Sequence, residues 1–193
     1  MKISILLPKP ELKGGKSIEE CILERESVRS FKDKSIEIEK ISQILWSAQG
    51  KRGYKRTVPS AGATYPLELY VNLKDKGYFY YDLEKHLLEI ITEEDLSKEL
   101  ARACWDQNFI AEAYLNIIIC AKFSRTTQGY GQRGVRYVLI EVGHCAQNVH
   151  LEAVSLGLGS VPIGAFEDRK VKDVLNFPKD IEPLYLIPIG YPK

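Results

Sequence analysis

Leu67-Glu68-Leu69-Tyr70-Val71-Asn72-Leu73, followed after Gly77 by Tyr78-Phe79-Tyr80-Tyr81, decides the fold class. Both runs are rich in aliphatic and aromatic residues, and a glycine turn separates them, which is the pattern of a β-hairpin. Hairpins join antiparallel neighbours, so the pair argues against a purely parallel, doubly wound sheet. Farther along, Asn116-Ile117-Ile118-Ile119-Cys120 lies within a run over 113–123 that is β-branched and apolar. It reads as a central strand buried on both faces.

Helical patterns are interspersed with these strands. Ser17-Ile18-Glu19-Glu20 is a capping box that opens a short helix to about Glu24. Ile38, Ile41, Leu45 and Ala48 share one face of a helix over 37–49, closed by Gly50 and Gly53. Thr92 is expected to cap a helix over 93–104. The longest helix, 135–156, carries Val135, Val138, Leu139, Val142, Ala146, Val149, Ala153 and Leu156 at helical spacing and ends at Gly157. Strands are expected over 160–163 and 184–189, with Asp168 capping a helix between them. The class is therefore α+β. Pro8, Pro10 and Gly14-Gly15 mark residues 1–16 as an irregular arm, ahead of a single domain over 17–193. Ser124 to Gly134, polar and glycine-rich, reads as a mobile surface loop.

Composition narrows the function. With 193 residues, 45% of them apolar, one domain with a sizeable core can form. Twenty-seven basic residues against 26 acidic ones leave a net charge of +1, which argues against a polyanion as the main partner. Cys21, Cys104, Cys120 and Cys145 are scattered without a Cys-x-x-Cys pair, so they read as small buried hydrophobes. His144 and Cys145 are sequence neighbours and point apart on a helix, so no metal site is expected. The apolar run at Met1–Pro8 is short for a signal peptide, and no stretch approaches the roughly 20 apolar residues of a membrane span. A soluble cytoplasmic protein is the expectation.

Three segments carry chemistry. Arg25-Glu26-Ser27-Val28-Arg29-Ser30-Phe31 sets two guanidinium groups and a hydroxyl within five positions. Such groups match phosphate oxygens, although a solvated turn capping a helix has the same composition. Pro59-Ser60-Ala61-Gly62-Ala63-Thr64-Tyr65-Pro66 is a small-residue loop through which a planar ring can approach backbone amides. It lacks the Gly-Lys-Ser/Thr of a P-loop, and no Gly-x-Gly-x-x-Gly opens a helix after a strand. Pro162-Ile163-Gly164-Ala165-Phe166 offers backbone N–H groups at Gly164 and Ala165 and apolar packing at Pro162 and Ile163.

In order and spacing these segments resemble the FMN-dependent nitroreductase-like family, closest to its SagB-type dehydrogenase branch, over about 17–192. Leu45-Trp46-Ser47-Ala48-Gln49-Gly50, Gly143-His144-Cys145-Ala146-Gln147-Asn148, Gly157-Leu158-Gly159-Ser160-Val161 and Tyr185-Leu186-Ile187-Pro188-Ile189-Gly190-Tyr191-Pro192 extend the match. The resemblance implies a three-layer fold with a mainly antiparallel sheet. It also implies a homodimer holding non-covalent FMN at its interface, with NAD(P)H as electron donor and a quinone or nitroaromatic as acceptor. Arg25 and Ser27 would hold the phosphate, with main chain from Glu26, and Arg29 would lie near the ribityl chain and the N1–C2=O edge. Pro59, Ser60, Ala61, Gly62 and Ala63 would meet the flavin of the partner subunit, and Gly164 and Ala165 would face N5. SagB-type enzymes, which oxidise azoline rings in modified peptides, carry a Lys-Tyr pair where this chain has Gly129-Tyr130. That leaves Tyr130 as the candidate proton donor. Lys193 would take the C-terminal phosphate contact seen in many family members. Glu141 and His144 lie about a helical turn apart, and packing with ordinary hydrogen bonding accounts for both.

Overall fold

The computed structural model describes residues 4–193. The first three residues of the expected arm lie outside that range. In chain order the elements are β1 (Ser4–Leu6), α1 (Ile18–Glu24), α2 (Ile38–Gln49), β2 (Lys51–Arg52), β3 (Lys55–Arg56), β4 (Leu67–Leu73), β5 (Gly77–Asp82) and β6 (Leu87–Thr92). They continue as α3 (Ser97–Ala103), α4 (Phe109–Glu112), β7 (Leu115–Ala121), α5 (Ser124–Tyr130), α6 (Arg133–Ser155), β8 (Gly159–Ser160), α7 (Asp168–Leu175) and β9 (Glu182–Gly190). Seven strands form one sheet in the order β1-β6-β5-β4-β7-β9-β8, and each neighbouring pair is antiparallel.

The hairpin of β4 and β5 and the central strand β7 appear as the sequence indicated. β7 pairs β4 from Leu67↔Ala121 to Leu73↔Leu115 and carries β9 on its other side. Because side chains alternate along a strand, β7 feeds two cores. Ile117 and Ile119 join Leu69, Val71 and Ile187 beneath α2 and α6, where Ile44, Leu45, Val138, Cys145 and Val149 cover them. Ile118 and Cys120 join Tyr70, Tyr78 and Leu186 beneath α3, α4 and α7, covered by Leu100, Ile110, Val171 and Leu175. Each fully buried isoleucine contributes about 1.5–3 kcal/mol. The result is an α/β/α sandwich, the three-layer α+β arrangement.

Four expectations are corrected. The arm is not wholly irregular: Ser4–Leu6 adds an edge strand to β6, and His86 ties the chain down near Pro8. Its ring nitrogens lie 3.0 Å from Pro8 O, 2.7 Å from Ser42 Oγ and 2.8 Å from Tyr81 Oη. Residues 87–92 form a strand that the sequence reading did not separate from its surroundings. Thr92 therefore ends β6 and does not cap α3, which begins at Ser97; its hydroxyl accepts from Glu94 N at 3.2 Å in the intervening turn. Finally, Ser124–Tyr130 is a helix rather than a mobile loop. Thr126 is buried there, its hydroxyl 2.8 Å from that of Thr64, and Gly134 admits the Thr127 backbone at a distance a side chain would block.

Candidate functional site

The Arg25–Phe31 turn is clamped on two sides. α1 ends where Arg25 N donates to Cys21 O at 3.0 Å, and the chain then runs extended. Ser27 bridges Ser160 in parallel, with Val28 N donating to Ser160 O at 3.0 Å. On the other side Phe31 bridges Pro192, Lys32 N donates to Tyr191 O at 2.8 Å, and Lys193 N donates to Ser30 O at 3.2 Å. Both approaches need glycine. A Cβ at Gly159 would stand 2.7 Å from the Val28 side chain, and one at Gly190 would stand 2.9 Å from Phe31. Arg25 is half-buried, while Glu26, Ser27 and Arg29 are exposed. Among the described residues, neither Arg25 nor Arg29 has an ion-pair partner.

Beneath the turn, buried His150 on α6 shares a 2.6 Å hydrogen bond between its Nδ1 and Ser160 Oγ. Burial first, and then the Arg25 charge, push its pKa down to about 4, so the ring is neutral. From Ser160 the chain passes directly into Pro162–Phe166. Ile163 exchanges backbone hydrogen bonds with Leu186 at 2.8 and 3.0 Å. Gly164 and Ala165 then emerge at the surface, and Ala165 O accepts from Gln107 Nε2 at 3.0 Å. Among the described residues, the amides of Gly164 and Ala165 donate to nothing within the chain. The structure thus brings Arg25, Glu26, Ser27, Arg29, Pro162, Ile163, Gly164, Ala165 and the Lys193 backbone to one edge of the sheet. The Lys193 ammonium, however, sits 3.1 Å from Glu112.

The Pro59–Ala63 loop lies elsewhere. It makes a 3₁₀ turn at Ala61–Ala63, with Gly62 and Ala63 at φ 58° and 54°. Ser60 Oγ accepts from Tyr65 N at 2.9 Å, which braces the turn. Tyr130, at the end of α5, packs on it: a Cβ at Gly62 would stand 2.7 Å from the tyrosine hydroxyl. The Tyr130 ring meets Tyr137 edge-on, with centroids 5.2 Å apart. Loop and helix α6 enclose a cleft of about 230 Å³ lined by Pro59, Ser60, Ala61, Tyr137, Ile140, Glu141 and His144. Glu141 is 3% exposed, and burial raises its pKa. Among the described residues its Oε1 has no partner, and neither does the buried Nε2 of Gln49 beside it. Ordinary hydrogen bonding, expected for Glu141 from the sequence, is thus not what its Oε1 makes, although the residue does lie on the apolar face that carries Val138, Val142 and Cys145.

The loop reaches α6 at Glu141 and the Arg25 turn reaches it at His150. Nine helical residues separate these points by roughly 13–14 Å at 1.5 Å each. One chain therefore presents two separate candidate segments. A larger cleft, about 490 Å³, opens between the arm and α2 and holds none of the expected site residues. Among the described residues no cluster suits a metal ion, and no helix is long and apolar enough to cross a membrane.

The model of the nitroreductase family matches residues 22–191. The chain belongs to the nitroreductase family. It is 46% identical over 181 residues, 90% of each chain, to a Methanocaldococcus jannaschii protein that carries a nitroreductase name. It superposes with a TM-score of 0.89 and 26% identity on the crystal structure of a Ralstonia eutropha protein described as a nitroreductase, covering 98% of this chain and 90% of that one. A Bacillus subtilis FMN reductase (NADPH) is 23% identical over 187 residues, covering 90% of this chain and 65% of that protein. Family membership makes this nitroreductase-like chain an oxidoreductase and accounts for its α+β layering. The match spans both candidate segments, from the Arg25 turn to Pro162–Ala165.

Proposed function

We propose that the protein is an FMN-dependent oxidoreductase, active as a homodimer, that passes hydride between a nicotinamide donor and a small acceptor such as a quinone or nitroaromatic compound. The observation that carries this reading is the sheet edge that holds, unpaired among the described residues, two guanidinium groups and an exposed serine against β8 and two backbone amides just after it. That donor set fits a phosphorylated flavin: forked cations for the phosphate, N–H groups for the ring edge, and a glycine-lined approach between them.

In this reading Arg25 and Ser27 bind the phosphate, with main chain from Glu26. Arg29 places positive charge where electron density accumulates on reduction. Gly164 and Ala165 aim an amide at the reacting edge, over Pro162 and Ile163. When bound, the flavin supplies the hydride chemistry, and the protein orients and tunes it. Pro59, Ser60, Ala61, Gly62 and Ala63 stand too far along α6 to serve the same ring edge, so they complete the partner's site. Exposed apolar residues support such an interface: Leu139 and Ile140 on α6, and Ile18, Ile22 and Leu23 on α1. Tyr130, braced against Gly62, holds a phenolic proton at the loop. Lys193 remains a phosphate contact only if it leaves Glu112.

The test is an absorption spectrum of the purified protein, then steady-state NADH and NADPH oxidation with a quinone. Flavin bands and turnover above that of free FMN are expected. Colourless protein that neither retains nor quenches FMN defeats the reading, and bound flavin without turnover marks a binding partner in a larger assembly. A second reading, oxidation of rings in modified peptides, is favoured by the position of Tyr130 on the loop. Azoline peptide oxidised only by protein with Tyr130 intact would establish it.

A further inference from the structure

Three polar groups beside the flavin loop are left unmatched in a complementary way. Glu141 offers an acceptor, Oε1, that nothing fills, although the residue is 3% exposed. Gln49, 1% exposed at the end of α2, offers a donor, Nε2, that nothing accepts. The Ser60 hydroxyl already accepts from Tyr65 N, so its own proton is free to be given. Ser60 and Gln49 are the hydrogen-bonding groups nearest the Glu141 carboxyl, yet among the described residues neither makes a bond that satisfies Oε1 or the Gln49 amide. Two donors thus stand around one carboxyl acceptor without closing on it. Buried groups left this way lose their hydration without gaining a partner, so a rearrangement that joins them is favoured.

We propose that Glu141 is a positioning residue that latches the flavin loop: seating a ligand on Pro59–Ala63 draws the Ser60 hydroxyl and the Gln49 amide onto its carboxylate. The inference rests on the flavin reading above and adds to it a proton. Donors closing on a carboxylate favour its charged form. Before closure, burial favours the neutral acid. Ligand binding therefore releases a proton from Glu141, and affinity rises as pH rises through the titration of this group. The groups that face the carboxyl are consistent with that direction. α2 and the loop contribute uncharged Gln49 and Ser60, while Tyr137 and His144 line the cleft from α6 and Cys145 lies behind.

The experiment is an FMN titration of the wild-type protein and of Glu141→Gln by flavin fluorescence, from acid to mildly alkaline pH. The substitution keeps shape but cannot ionise, and its profile carries the phosphate's own ionisation, near pH 6. Relative to it, wild-type affinity should climb about three- to tenfold across the step, because the bound state holds the charged carboxylate more tightly than the free one. Ser60→Ala reads the same link from the loop and serves also if Glu141→Gln fails to fold. It removes a group that favours the charged acid, so the step should move to higher pH. Parallel profiles for wild type and Glu141→Gln, or an unmoved step in Ser60→Ala, overturn the latch while leaving the flavin reading intact. Wild-type protein that takes up no FMN at any pH removes both.

Discussion

Arg25 and Arg29 differ in what surrounds them, and so should their variants. Arg25 is half-buried above a neutral histidine, whereas Arg29 is exposed beyond the bridge to Ser160. Hydrogen bonds to charged groups contribute about 1.5–3 kcal/mol. Arg25→Ala should accordingly weaken FMN binding by about tenfold or more, as read by fluorescence quenching. Arg29→Ala should weaken retention less but lower the flavin reduction potential by about 30 mV, equivalent to about 1.4 kcal/mol for two electrons. An unchanged potential at full occupancy would count against its placement beside the ring. His150 gives a pH prediction that does not depend on flavin. Its folded pKa is depressed from 6.5 to about 4. Above 6.5 neither state binds the proton, and between 6.5 and 4 the unfolded chain binds it while the folded one does not. Stability is therefore full above 6.5 and falls as pH drops toward 4, by on the order of 3 kcal/mol. His150→Gln, which keeps a partner for Ser160, should flatten that window in urea denaturation at a series of pH values.

At the scale of elements, the site depends on how closely β8 and the Arg25 turn approach. Gly159→Ala would drive a methyl to 2.7 Å from Val28, a β-branched side chain with little rotamer freedom. Overpacking of this kind costs about 1–3 kcal/mol. The variant should unfold at lower urea and lose flavin, while Gly129→Ala on α5, where a Cβ meets nothing within 4 Å, should do neither. Retained flavin in Gly159→Ala would mean that the turn does not need β8. This close approach is also where the sequence stops being legible. The β4–β5 hairpin, the buried run of β7 and the capping box of α1 are local signals, and each appears where the residues put it. α5 gave no such signal. Ser124–Tyr130 lacks an apolar stripe, and its helix is held by contacts with α6 and Thr64 that arise only in the fold. β6 failed for a related reason, since Leu87–Thr92 is a short apolar run that suits a helix or a strand until a neighbour pairs with it. Arg25, Ser27, Gly164 and Ala165 stood out by residue type. The Glu141 cleft did not, because its polar partners come from residues 49 and 60, far apart from it in sequence.

On the scale of the whole molecule, one chain carries two separated candidate site segments and exposed apolar side chains, and the proposed dimer would account for both. α6 runs between the two segments, with the loop nearer its start and the Arg25 turn nearer its end, and Leu139 is 51% exposed on it. A dimer that covered this face would bring a loop from one subunit toward the turn of the other. Stable interfaces of this type bury about 1,200–2,000 Å² in total, with a desolvated apolar centre. A charge placed there should break assembly without disturbing either core, since Leu139 belongs to neither buried cluster. Leu139→Asp is therefore expected to run as a monomer in light scattering, with an unchanged far-ultraviolet circular dichroism spectrum. Its flavin should be lost in the same preparation, because each ring would have only half of its contacts. A monomeric Leu139→Asp protein with full flavin content would show that one subunit suffices, and the Pro59–Ala63 loop would then have to reach its own chain's Arg25 turn by moving.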